Sequence, residues 1–301
     1  MATFKSLSDS EREHLLSMLM AGKLDHSDIE RKFINVAYGE AKNQRMNIYL
    51  PSEGEGPFPV IFFIHGGGWQ SGSRHDTQVK PFLHGINRGY AVISCGYRLM
   101  PEVNYPENLY DIKAALRFIA EHGTELMLDT NRLIIAGASA GAHLAMMAAF
   151  TQGMPAFEGD IITKAPVIRA VIDQFGPTDF ANENTQFEES GYARMHPPAP
   201  AGKGTADRLL NADTSANPHL LSFVSPILNV HRSIPPVLIL HGKYDPMVPY
   251  QQSVTLYNKI CDICGTNHAK MIISDDCTHA DTKYESEPYT GEIFSFIEKY
   301  I

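Results

Sequence analysis

The 301-residue chain has few of the features that would place it outside the globular proteins. It contains four cysteines, no run of like charges long enough to act as a tail, and no internal repeat or low-complexity segment. Nor does any stretch approach the roughly 18 to 20 apolar residues that span a bilayer, so a membrane helix is excluded. A formal charge of −9 argues against nucleic acid, because a phosphate backbone needs a basic face. Glu11, Arg12, Glu13 and His14 stand where a secretion signal needs its apolar centre, and a cytoplasmic protein is expected. Cys95, Cys261, Cys264 and Cys277 are too few for a disulfide framework at this length. Cys261 and Cys264 form a C-x-x-C pair, but no second pair accompanies it. It also closes a helix-like segment before Gly265 instead of opening one, which fits neither a redox pair nor a metal site.

What is present is ordinary in amount and informative in order. Apolar residues make up 44% and charged residues 20%, as in soluble globular domains. Ser8 to Glu11, followed by Leu15, Leu16, Met18 and Leu19, reads as a capped amphipathic helix over about 8–22. Two antiparallel strands are expected at 33–38 and 46–50. Apolar runs then recur at 60–64, 91–95, 133–136, 167–175, 237–241 and 270–274, and helical spacing separates most of them. Buried runs alternating with helices predict an α/β domain over 1–301, with a mostly parallel sheet of about eight strands covered on both faces. From about 181 to 225 the chain turns polar and rich in Pro and Gly, with too little apolar content for a core of its own. A connection of that length predicts a cap-like insertion.

Two glycine-rich motifs follow apolar runs directly. Gly137-Ala-Ser139-Ala-Gly141 follows Leu133 to Ala136 and matches G-x-S-x-G, a strand turning sharply into a helix with a serine at the apex. Ser139 is the candidate nucleophile, and the Ala140 amide at the helix start should face an oxyanion. His65-Gly66-Gly67-Gly68-Trp69 follows Val60 to Ile64, and its Gly67 and Gly68 amides are the expected co-donors. His65 is expected to bond its own loop, and Trp69 to shape the substrate pocket.

A serine needs a base, and thirteen histidines are available. His279 stands out in a polar loop just past the last strand. His143 lies one turn along the nucleophile's own helix, below the serine, and His241 ends a strand but precedes Gly242 and reads as part of a turn. The orienting acid should follow another strand, which selects Asp245 after Val237 to His241. Asp276 and Asp281 are too close in sequence to reach the His279 ring easily, and Asp179 more naturally ties down the start of the insertion.

The order Ser139, Asp245, His279 is that of α/β-hydrolases. From about Phe33 onward the chain resembles the hormone-sensitive-lipase-like and acetyl-esterase/feruloyl-esterase-like branches of that fold. The resemblance runs through His65 to Trp69, Tyr97-Arg98-Leu99-Met100-Pro101-Glu102, Pro106, Asp111, the serine elbow, Phe175 to Asp179, Ser225-Pro226-Ile227 and His241 to Pro246. It implies bracing roles for Tyr97, Arg98 and Asp111 under the nucleophile. The chain departs from the pattern at Cys277-Thr-His279-Ala-Asp281, where glycine usually flanks the histidine.

These readings predict hydrolysis of a carboxylic ester through an acyl-enzyme, with no metal or organic cofactor. The expected substrates are short-acyl or aryl esters, of the acetyl type, feruloyl esters or acetylated-sugar esters. Expected partners are a small-molecule ester, no nucleic acid and no membrane, with a homo-oligomer left open. An amide-cleaving hydrolase uses the same residues and stays an alternative, as does a homologue that binds without catalysis.

Overall fold

Strands that are apolar on both faces need a layer packed on each side, and that requirement organises the molecule. The computed structural model describes residues 7–13, 22–159 and 165–301. Its sheet comprises β1 (Lys32–Ala37), β2 (Arg45–Tyr49), β3 (Phe58–Ile64), β4 (Ala91–Cys95), β5 (Leu128–Ala138), β6 (Ile168–Gln174), β7 (Val237–Gly242) and β8 (Ala269–Ser274). The spatial order is β1-β2-β4-β3-β5-β6-β7-β8. β2 pairs antiparallel with β1 and β4, and every pairing from β4 through β8 is parallel.

Period-two alternation on β3 divides the core. Val60, Phe62 and Ile64 enter one apolar layer, whereas Ile61 and Phe63 enter the other. Three helices cover the first layer: α1 (Glu107–His122), α2 (Ala140–Phe150) and, after the insertion, the helix Gln251–Cys264. The last helix, Tyr289–Tyr300, places Ile293, Phe294 and Ile297 in the second layer. Each fully buried Ile, Leu or Phe stabilises the fold by roughly 1.5–3 kcal/mol. α2 is buried along its whole length, which its Ala- and Gly-rich sequence permits by letting the helix approach the sheet closely.

The 181–225 segment contains α3 (Glu183–Ser190), α4 (Thr205–Leu210) and the short turn Leu221–Val224. Phe187, Met195, Ala206, Leu209 and Val224 are buried in it, and polar anchors supplement them. Gln252, on the helix after β7 (α5, Gln251–Cys264), accepts from the amides of Thr178 (2.6 Å) and Asp179 (2.7 Å) and bonds Gln186 of α3. Arg98 and Asp111 form a multiply hydrogen-bonded pair, with Nη2 to Oδ1 at 2.6 Å and Nε to Oδ2 at 2.9 Å. Tyr97 stacks on His65 at 4.5 Å and donates to the His65 carbonyl. Of the expected N-terminal helix, Ser8 and Glu11 cap each other as the sequence predicts, with Glu11 N to Ser8 Oγ at 3.3 Å. Leu15, Leu16, Met18 and Leu19 lie outside the described residues.

Candidate active site

β5 ends at Ala138 and α2 begins at Ala140, so a single residue makes the turn. That residue is Ser139, with φ 53° and ψ −120°, a conformation that side-chain-bearing residues rarely adopt. Two close backbone approaches enforce it. A Cβ on Gly141 would fall 2.1 Å from the Ile64 carbonyl oxygen, and one on Gly137 would fall 2.4 Å from the Gly141 carbonyl. The Ser139 amide donates to the Gln174 carbonyl at 2.8 Å, tying the turn to β6. The hydroxyl therefore stands at the end of the sheet, on a turn with little freedom to move.

His279 and Asp245 reach the same place from the ends of β8 and β7. His279 Nε2 lies 3.0 Å from Ser139 Oγ, and His279 Nδ1 lies 2.6 Å from Asp245 Oδ2. All the carboxylate's other partners are donors as well. The Met247 and Val248 amides each donate to Oδ1 at 2.8 Å, and His241 Nε2 sits 3.2 Å from Oδ2. Burial alone would raise the Asp245 carboxyl. The His279 charge and the hydrogen bonds from both histidines outweigh that and hold it well below the usual carboxylate range. An ionised Asp245 fixes His279 with hydrogen on Nδ1 and leaves Nε2 free to accept the serine proton. The rival acids are engaged elsewhere. Asp276 pairs with Lys283 at 2.8 Å, Asp281 caps the turn that follows it, and Asp179 accepts from Asn182 at 2.8 Å.

The amides of Gly67 and Gly68 have no acceptor among the described residues, although the Gly67 carbonyl takes the amides of Gln70 and Ser71. Both glycines line the cavity that contains Ser139 and His279. Ala140 is the first residue of α2, where helix amides have no intrahelical partner. Two glycine amides on the wall of the serine's cavity and the amide of the residue next to the serine are thus backbone donors without an intrahelical or other backbone acceptor among the described residues. His65 donates from Nδ1 to the Gly66 carbonyl at 2.8 Å, which matches its expected loop-bonding role.

The cavity is about 590 Å³, within the roughly 300–1,000 Å³ of small-molecule sites. Trp69 and Phe180 line it near the glycines, and Glu183, Asn184, Arg194 and Lys203 line it from the 181–225 segment. Arg194 lies 4.1 Å over the Phe187 ring and donates to Asn184 Oδ1 at 2.7 Å. Burial raises the Glu183 carboxyl, with the nearby Arg194 charge opposing.

The structure brings Ser139, His279 and Asp245 within hydrogen-bond distance of one another, sets Gly67, Gly68 and Trp69 on the same cavity as the serine with Ala140 next to it in the chain, and adds several residues that sequence reasoning missed. His241 lies in β7, which runs on through Gly242, so it stands at the strand end as expected but inside the strand; Ser253 Oγ meets its Nδ1 at 2.6 Å while its Nε2 reaches the Val248 carbonyl at 3.0 Å. A histidine closing a buried strand four residues before the acid was the available signal. His143 is fully buried against the edge of Trp69 and is not among the hydrogen-bond partners of Ser139 Oγ. Nothing in the sequence pattern marked Gln252 or Arg194.

A mostly parallel eight-stranded sheet, helices on both faces, and a serine, an acid and a histidine just past the ends of β5, β7 and β8 define the α/β-hydrolase fold. The BD-FAE family model matches residues 46–260, and the chain belongs to that family. The chain is 28% identical over 223 residues to the probable carboxylic ester hydrolase LipM of Mycobacterium tuberculosis, covering 73% of this chain and 49% of LipM. It is 25% identical to esterase LipC of the same organism, covering 80% and 58%. A truncated carbohydrate esterase from gut microbiota superposes with a TM-score of 0.80 at 24% identity, covering 93% of this chain and 99% of that one. The chain spans about half the length of the curated relatives it matches. Among the described residues no helix is long and apolar enough to cross a membrane.

Proposed function

We propose that the protein is a serine carboxylesterase that hydrolyses short-acyl esters through an acyl-enzyme on Ser139. The observation that carries this reading is the hydrogen-bonded line from Ser139 Oγ through His279 to Asp245, opening on a cavity shared with the Gly67 and Gly68 amides. His279 Nε2 takes the hydroxyl proton as Ser139 Oγ bonds to the carbonyl carbon. The oxyanion rests on the amides of Gly67, Gly68 and Ala140. Collapse breaks the ester C–O bond, and the alcohol leaves with the proton held by His279. Water then gives its proton to His279 and attacks the acyl carbon, which releases the acid and restores Ser139. Every step uses groups of the protein and water.

The 181–225 segment acts as the cap in this reading, and it holds the alcohol portion of the ester. Its wall combines paired charged and amide groups with aromatic rings, a lining suited to a polyhydroxylated alcohol such as an acylated sugar. The similarity to a carbohydrate esterase supports the same direction. Trp69 and Phe180 bound the acyl side and favour a small group.

A fluorophosphonate probe and a panel of aryl esters from acetyl to octanoyl test the proposal. Stoichiometric labelling lost in Ser139→Ala, with turnover falling as the acyl chain lengthens, is the expected result. An unlabelled wild-type protein sinks the mechanism, and turnover that climbs towards octanoyl sinks the short-acyl assignment.

A further inference from the structure

His143 is the one titratable side chain in α2, and burying it in so apolar a helix is costly unless both ring nitrogens are satisfied. Both are. Nε2 lies 2.7 Å from the Val224 carbonyl oxygen, which can only accept, so Nε2 carries the hydrogen. Nδ1 is then left as an acceptor, and Trp69 Nε1 donates to it at 3.3 Å with the two rings at 87°. Phe180 and Tyr105 close the remaining sides, with ring centroids 5.5 Å and 5.6 Å from the imidazole. One neutral imidazole thus ties together three elements: the residue after the oxyanion glycines, the nucleophile's helix and the end of the 181–225 segment.

Trp69 is bonded directly to Gly68, and its backbone sits at φ 59°. Its carbonyl accepts from the Met100 amide at 2.8 Å, so main chain and ring are held from different directions. A ring free to swing would transmit rotation into the adjacent peptide, whose amides must point at one place to hold an oxyanion.

We propose that His143 is a positioning residue: by accepting from Trp69 and donating to Val224 it holds the Gly67–Gly68 amides in register with Ser139. The inference rests on the esterase reading for its kinetic consequence and on geometry alone for its structural one. Burial depresses the imidazole to about 4, so it stays neutral and keeps one acceptor and one donor at the pH of most assays.

Trp69 is the only tryptophan in the chain, so its fluorescence reports the proposed contact without interference. In His143→Leu, kcat is expected to fall about 10- to 100-fold with KM changed less, as when one oxyanion donor is weakened. Indole emission should show faster local depolarisation and greater acrylamide quenching. His143→Gln, which can accept from the indole and donate to Val224, should recover most of both. A folded His143→Leu with wild-type kcat and unaltered Trp69 depolarisation overturns the proposal, as does a Gln variant no better than Leu. Should His143→Leu fail to fold, Trp69→Phe removes only the donated hydrogen and much of the ring's outer edge. The same drop in kcat is expected there, and a kcat within about twofold of wild type overturns the proposal. If the wild-type protein hydrolyses no ester, the esterase reading fails by itself, and the depolarisation of His143→Leu still decides the contact.

Discussion

The floor of the cavity and its 181–225 wall face the same space but are built on opposite principles. The floor is made of strand ends, where Ser139, Asp245 and His279 are fixed by backbone pairing, by carbonyl oxygens too close to admit a methyl group, and by hydrogen bonds under 3.1 Å. The wall is made of two short helices and the loops around them, anchored by polar contacts such as Gln252 to Asp179 and Arg194 to Asn184. Bond-making geometry tolerates errors of a few tenths of an ångström, whereas recognition of an alcohol can be retuned one side chain at a time. Reaction type is therefore expected to reside in the floor and substrate choice in the wall.

The largest test of that division is removal of the nucleophile. Ser139→Ala is expected to lower ester turnover on the order of 10⁵-fold, and Asp245→Asn on the order of 10⁴-fold through the wrong His279 tautomer, with thermal midpoints near wild type. Stopped assays against a chromogenic acetate measure both.

Next comes the contrast between two glycines. Gly141→Ala forces a methyl group onto the Ile64 carbonyl and is expected to lose more than about 3 kcal/mol in urea unfolding, or not to fold. Gly191→Ala, in the wall at φ 67° with open space around it, is expected to lose about 1 kcal/mol. Equal losses would break the contrast between floor and wall.

A third test concerns pH. Asp173 on β6 is fully buried. Burial, opposed by a hydrogen bond from the Gly176 amide and by the His241 charge, pushes its carboxyl up to about 7 from an ordinary 3.8. The folded state therefore holds this proton more tightly than the unfolded chain does. The resulting stability is full below pH 3.8 and is lost as pH rises through about 7. Asp173→Asn, which keeps the acceptor for Gly176, should raise the thermal midpoint at pH 8 and leave it nearly unchanged at pH 4. A midpoint raised equally at both values contradicts this.

The smallest expected effect lies in the wall. Arg194→Ala should raise KM about tenfold for an acylated sugar while leaving kcat within about twofold, consistent with one lost charged hydrogen bond. An aryl acetate, which lacks the polyol, should show little change in KM. A fall in kcat for both substrates would place Arg194 in the chemistry and erase the division.

The legible parts of the sequence were those in which one local requirement has one local solution. β4 occupies the expected residues because Ala91 to Cys95 is an uninterrupted apolar run, and the serine elbow was readable because only glycine fits both flanks of Ser139. Asp245 and His279 were readable from their places after strands. β5 begins earlier than its apolar pattern shows, since Asp129, Asn131 and Arg132 are polar residues held in the strand by its neighbours. The helices of the 181–225 segment left little pattern because they are six to eight residues long and each buries only one or two apolar side chains, Phe187 in the first and Ala206 and Leu209 in the second. The buried bonding of His241 was not legible, because its partner Ser253 lies twelve positions away on another element.

By itself the sequence determined the order of strands and helices and which serine, acid and histidine could meet. Those follow from periodicity and from steric rules that act within a few residues. Tertiary structure decided the remainder: that two histidines share Asp245, that one imidazole links Trp69 to Val224, and that charged residues of the insertion line the serine's cavity. Each of these depends on side chains far apart in the chain meeting at hydrogen-bond distance, a condition the packing of the whole sheet imposes and no local pattern records.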